Sequence, residues 1–197
     1  GAALRLHQSG GGGAPPGGRQ CQVSNFRIAG NMAGATGLHL RGADCQVSNG
    51  YIDLSGGGTI KPISVEGAGT GAAAASDVII SNVNVADGTR SEILGTTERV
   101  LIESCHFTAA SETGLLVGGD YTKVLNCSFD GGTSGIAKGI EVQSGADGVE
   151  IKGCLIRGCS GVGITLTGDT SAVTDCTIEA ITGDAIVVIG DNNVIQG

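Results

Sequence analysis

Three histidines and 19 carboxylates supply this chain's acid and base groups, and some of them recur at spacings that could do chemistry. His106 and Asp130 fall in two similar segments, SCHFTA and NCSFDG, one repeat and two residues apart. If those segments are stacked strands, about 4.8 Å between strands and 3.3 Å per residue put the two Cα atoms roughly 8 Å apart. That suits a catalytic base and its orienting acid, and equally an ordinary surface pair. His106 also belongs to a polar series, Arg27, Tyr51, Asn84, His106 and Ser128, followed two residues on by Asp53, Asp130, Arg157 and Glu179. Tyr51 is the best platform there for stacking on a sugar ring. A second set places His39 and Arg41 beside Ser64 and Glu66, with Glu141 and Gln143 further along; Glu66 is expected to pair with Arg41 as a modest surface contact. Glycoside hydrolysis calls for two carboxylates about 5–10 Å apart, and lyase or epimerase chemistry for a base beside a cation or metal. Neither set shows two carboxylates facing each other on adjacent repeats.

The elements that must position these residues come from a repeat. Apolar anchors at Val23, Val47, Ile80, Ile102, Val124, Ile151, Val173 and Val194 are spaced by 24, 33, 22, 22, 27, 22 and 21 residues. The unit is about 22 residues, and the longer units carry extra Gly, Ala, Ser and Thr, as loop insertions do. Each unit holds a strand ending at the anchor and a second with apolar residues three and five positions later. A third reads LHL (38–40), ISV (63–65), IEV (140–142), ITL (164–166) or IVV (186–188). All alternate with period 2. Three short strands per turn, stacked turn on turn, predict an all-β, right-handed, single-stranded parallel β-helix of about seven rungs. A leucine-rich repeat is excluded, because its return stroke is helical or irregular rather than alternating.

Two residues past the anchor stand Asn25, Asn49, Asn82, Ser104, Asn126, Gly153 and Asp175. These types tolerate the left-handed backbone region, and stacked Asn side chains can pair their amides, so the column reads as a structural ladder. Asp44, Asp77, Asp120, Asp147, Asp169 and Asp191 form a further series before the first strand. Capping of their own turns is the commoner use of such residues; calcium is the one metal they would suit. No cofactor is otherwise expected. Cys105, Cys127, Cys154 and Cys176 share the inward column three past the anchor, a ladder of buried thiols. Stacked side chains point in parallel, which disfavours disulfides. Cys21 and Cys45 repeat the idea in another column, and Cys159 reads as a turn residue.

Composition bounds the rest. The 197 residues, with 37 Gly, no Trp and 3 Phe, form one predicted domain (1–197) whose core is Val, Ile, Leu, Ala and Cys. The net charge is −8 and the 11 Lys and Arg are scattered singly. Nucleic acid is therefore not an expected partner, and a strongly anionic polymer is a poorer one. No run of about 18 apolar residues suggests membrane insertion. The Gly-rich stretches at 9–18 and 67–75 lack the Lys-Ser or Lys-Thr of a phosphate loop and read as surface loops.

The V-x-[NSD]-[CFV]-x-[FIV] rungs from Val23 to Val194 resemble the right-handed parallel β-helix, or pectin-lyase-like, superfamily. That superfamily includes pectate lyases, polygalacturonases, alginate epimerases and bacteriophage tailspikes. The resemblance implies association with polysaccharides and no particular reaction. The chain has no Asp-Asp, Gly-His-Gly, Asn-Thr-Asp or Arg-Ile-Lys of the polygalacturonases, no Arg-x-Pro-x-x-Arg of the pectate lyases and no Tyr-Gly-Phe-Asp-Pro-His of the epimerases. Tailspikes share no catalytic motif. The ends, GAALRL resembling a third strand and VIQG entering a first, suggest a segment of a longer chain. Ile79 and Leu101 stack outward on adjacent rungs, with Leu125 and Leu155 also outward; this fits cover by a loop or by the subunits of a homotrimer, and equally scattered surface apolar residues.

The expected function is a structural or receptor-binding β-helix segment of a phage tailspike or fibre, recognising cell-surface polysaccharide outside the cell or on the virion. The alternatives are a polysaccharide lyase or glycoside hydrolase using His106 and Asp130, and a bacterial surface or exported β-helix. Arg27, Tyr51, Asp53, Asn84, His39 and Arg41 are the expected carbohydrate contacts.

Overall fold

Alternation with period 2 in every segment leaves no stretch with helical spacing, and the described residues contain only strands, turns and bends. A computed structural model describes residues 2–7, 21–31, 34–56, 58–67, 75–95, 97–108, 110–132 and 135–197. The 9–18 stretch lies outside them, as does 67–75 apart from Gly67 and Ala75. All pairing between strands is parallel, and the strands stack into a solenoid of about seven turns. The third strands form an eight-stranded sheet. It runs from Ala2–His7 through Thr36–Arg41, Lys61–Glu66, Arg90–Ile93, Thr113–Val117, Ile136–Val142 and Cys159–Leu166 to Ile186–Val188. The first and second strands form one twelve-stranded sheet that bends at the turn between them.

That bend is set by the backbone of one residue per rung. Asn25, Asn49, Asn82, Ser104, Asn126, Gly153 and Asp175 all have φ between 52° and 63°, the left-handed region that costs an ordinary residue about 1–2 kcal/mol. Asn82 donates its amide to Asn49 Oδ1 at 2.8 Å, and Asn49 to Asn25 at 3.4 Å. In the first rungs the bend is gentle enough for Cys21–Asn31, Cys45–Ser55 and Ile79–Ala86 to run as continuous strands. From Leu101–Glu103 and His106–Thr108 onward, the two strands are separate.

The core is a set of columns, one residue per rung. Cys105, Cys127 and Cys154 are buried, and Cys176 is half-buried in the same column. Each thiol lies 3.4–3.8 Å from an anchor-residue carbonyl, of Ile80, Ile102, Val124 or Ile151. Phe26 fills this column in the first rung, and its ring lies where a Cβ on Gly50 would come within 2.2 Å, so only glycine fits above it. Two residues on, Phe107 and Phe129 stack with ring centroids 4.8 Å apart. All seven cysteines are free. Burial, with neighbouring Cys21 adding to it, pushes the Cys45 thiol up to about 12, and burial alone takes Cys159 to about 11.

Four expectations need correcting. Val173 pairs with Ile195 rather than Val194, so the last spacing is 22 and the rung repeat is more regular than the apolar pattern suggested. Cys159 is not in a turn; it begins the strand Cys159–Leu166 and is buried. The Asp series is two columns. Asp44 and Asp77 have φ of 55° and 57°, in line with Arg99, Tyr121, Gly148, Thr170 and Asn192. Asp120, Asp147, Asp169 and Asp191 sit one residue earlier. Nor do the carboxylates of this second column cap their own turns. Asp120 accepts from the Asp147 N–H, Asp147 from Asp169 and Asp169 from Asp191, at 3.0, 3.1 and 2.7 Å. The Asp120, Asp147 and Asp169 carboxylates each tie their rung to the next.

Candidate functional site

Chemistry in a solenoid has to come from the outward columns, and the second and third faces each carry one. On the second face Arg27, Tyr51, Asn84, His106 and Ser128 are successive register partners, as are Asp53, Ala86, Thr108, Asp130 and Arg157. The Arg27 guanidinium sits over the Tyr51 ring, 5.4 Å from its centroid, and the Tyr51 hydroxyl is 3.5 Å from Asp53. Asn84 is the register partner of Tyr51 on the next rung. His106 and Asp130 share no hydrogen bond. Asp130 instead accepts two from Arg157, at 3.0 and 2.6 Å, and one from the Gly132 N–H at 2.9 Å. The Gly132 N–H, then Arg157, holds its carboxyl below the usual carboxylate range. The proposed acid is thus occupied one rung away from the proposed base.

The third face is different. Its outward column runs His39, Ser64, Glu92, Leu116, Glu141 and Thr165. Four of these side chains point outward yet are almost fully covered: Ser64, Glu92, Leu116 and Thr165 are 4%, 1%, 6% and 8% exposed. They form a covered band along the solenoid axis. Long charged side chains stand along its sides. Lys61 Nζ is 2.6 Å and Arg90 Nε 3.5 Å from the Glu92 carboxylate, which also accepts the Ser64 hydroxyl at 3.2 Å. Arg90 reaches Glu112 at 3.5 Å, and Lys138 reaches Glu141 at 2.8 Å. At one end Glu66 contacts the His39 ring and lies 3.0 Å from Arg41 Nε. Burial of a carboxylate is costly unless it is paired, and Glu92 has two cations and a hydroxyl. The Thr165 hydroxyl, by contrast, is buried with no protein partner.

The six expected carbohydrate contacts are therefore split. Arg27, Tyr51, Asp53 and Asn84 share the second face, and His39 and Arg41 belong to the third. The sequence reading missed Glu92, Lys61, Arg90 and Thr165. It also missed that Glu66 and Glu92 are carboxylates on adjacent rungs of one face, and that cations scattered along the chain converge there. The strand Arg90–Ile93 went unread because Ser91 fills the inward place that Ile63 and Leu115 take on its neighbours. Thr113–Val117 was hidden by a register shift between Thr113 and Leu115. The available signal was polar alternation in Arg90, Glu92 and Glu112 rather than apolar alternation. Among the described residues no group of three or more His, Cys, Asp or Glu is arranged to hold a metal ion, and no helix is long and apolar enough to cross a membrane.

Residues 63–197 match the family described as right handed beta helix region. The chain belongs to the right-handed β-helix family. Among solved structures, this β-helix is similar to the A-module of the mannuronan C-5 epimerase AlgE6 of Azotobacter vinelandii. The TM-score is 0.62 with 13% sequence identity, over 89% of this chain and 53% of that one. The β-helix thus spans about half the length of the structure it matches, and the likeness is one of fold. No curated protein matches the sequence.

Proposed function

We propose that this β-helix binds an extended cell-surface polysaccharide along the covered band of its third face, as the receptor-binding part of a phage-type tailspike or fibre. The observation that carries the reading is the outward column of the third face: residues below 10% exposure, with paired cations and carboxylates beside them along successive rungs. Rungs repeat about every 4.8 Å, comparable to one sugar ring of an extended chain, so successive rungs can meet successive sugars. Arg41, Lys61, Arg90 and Lys138 supply donors, and Glu66, Glu112 and Glu141 supply acceptors. The similarity to a mannuronan epimerase module supports a polysaccharide ligand. An extracellular or virion-surface setting and a homotrimer are parts of the same proposal.

A second reading, an enzyme of the lyase or epimerase type, is favoured by one arrangement. His39 is held by Glu66 beside Arg41, which places a base, its orienting acid and a cation together. The test is to incubate the protein with a panel of bacterial surface polysaccharides, mannuronan among them. Polymer size is followed by chromatography and unsaturated uronates by absorbance. Unchanged polymer co-eluting with protein supports binding. Shortened polymer or rising absorbance, abolished by His39→Asn, supports the enzyme. Neither effect with any polymer would contradict both readings.

A further inference from the structure

The corner where the second strand turns into the third holds a hollow of about 400 Å³ spanning rungs two to five. Leu54 and Ile60, 0% and 3% exposed, back its wall from the core, and Ser55, Asp87, Thr89 and Ser111 bring polar groups to it. The wall is rigid where it touches the third strand: the Thr89 hydroxyl accepts the Ile60 N–H at 2.8 Å and donates to the Gly58 carbonyl at 3.4 Å. Asp87 is held by its backbone, with φ of 60° and its N–H donated to the Thr108 carbonyl at 3.2 Å. The Asp87 carboxylate and the Ser55 and Ser111 hydroxyls have no hydrogen-bond partner among the described residues. They are free to meet a ligand.

Position joins the hollow to the band. Ile60, Thr89 and Ser111 immediately precede Lys61, Arg90 and Glu112. A sugar branching from a polymer on the band would reach the hollow without the chain leaving the third face. The described lining has one carboxylate, three hydroxyls and no Lys or Arg. Hydroxyl groups can pair with it, and a second carboxylate would meet Asp87 without a cation to neutralise it. We propose that this hollow is a distinct subsite for a neutral pyranose, carried as a branch on the polymer held on the band. The branch attachment rests on the polymer reading; the affinity for a neutral pyranose does not.

The experiment is saturation-transfer NMR with free methyl glycosides, which are too short to need the band. The probes are methyl galactoside, methyl glucoside, methyl rhamnoside and methyl glucuronide. The variants are Ser111→Phe, which puts a ring from an exposed position into the mouth, Asp87→Asn, and Lys123→Met as a control on the first strand. Asn adopts positive φ readily, so Asp87→Asn changes the charge and keeps the turn. At least one neutral glycoside is expected to bind. Ser111→Phe should abolish its signal, Asp87→Asn should weaken binding several-fold, and Lys123→Met should leave it within twofold. The proposal is overturned if no neutral glycoside gives transfer, if the glucuronide binds as well as the neutral sugars, or if Ser111→Phe leaves the signal intact. Glycoside binding that persists while polymer co-elution fails would contradict the polymer reading and keep the subsite; the reverse would contradict the subsite alone.

Discussion

The second and third faces of this solenoid are built by the same repeat, with the same parallel register, and they present their outward columns in opposite ways. On the second face Tyr51 is 36% exposed, and Asp130 pairs with Arg157 in the open. On the third face Glu92, in an equally outward position, is 1% exposed. Strand alternation decides which residues point out. What stands beside them decides whether they meet water or are covered. Pairs on the second face are surface pairs of the kind that contribute about 0–1 kcal/mol. Pairs around Glu92 are coupled to burial, where loss of one partner leaves a charge without compensation.

The largest expected difference follows from that contrast. Lys61→Met leaves Glu92 buried with only Arg90 at 3.5 Å, and should destabilise the fold by about 3 kcal/mol, read as a lower denaturation midpoint at unchanged slope. Arg157→Met on the second face should cost less than about 1 kcal/mol. Equal effects would erase the distinction between the faces. Next in size, Asn82→Ala should lose about 1–2 kcal/mol through its φ of 52° and through the Asn49 hydrogen bond. Asn82→Gly should recover most of the backbone part. For binding, Arg41→Gln should weaken retention on an immobilised polysaccharide about tenfold, whereas Tyr51→Ala should leave it within twofold, in keeping with a hydrogen bond to a charged group of about 1.5 kcal/mol or more.

The smallest effect concerns acid. Asp130 is held below the usual carboxylate value first by the Gly132 N–H and then by Arg157. Its folded pKa is depressed, so its contribution is present in full above the unfolded value of about 3.9. It is lost as pH falls through the lower folded value. Asp130→Asn should therefore flatten the acid limb of stability below about pH 4 and leave the limb near neutrality unchanged.

The fold was more legible than the site, for a physical reason. A rung must bury something at each inward position and bend at each corner. Columns such as Cys105–Cys127–Cys154–Cys176 and Asn25–Asn49–Asn82 therefore recur in the sequence at the pitch of the repeat. Outward residues carry no such obligation. Glu92 resembles any surface acid until its neighbours Lys61, 31 residues earlier, and Ser64 are brought one rung below it. The His106–Asp130 pair makes no hydrogen bond for the converse reason. Spacing along the rungs gave the distance, but Arg157, one rung further, competed for the carboxylate. The two Asp columns were merged because their residues differ by one place in the turn, which only the backbone angles separate.

The four lysines allow the most direct test of a polymer on the third face. Lys61 and Lys138 stand on that face, and Lys123 and Lys152 lie on the first strands, paired with Glu150 and facing Asp175. Reductive methylation with and without a polysaccharide that co-elutes with the protein, read lysine by lysine by mass spectrometry, compares the faces within one molecule. Protection of Lys61 and Lys138, with Lys123 and Lys152 labelled as before, is the predicted result. Protection of Lys123 and Lys152 with Lys61 and Lys138 unchanged would contradict the account.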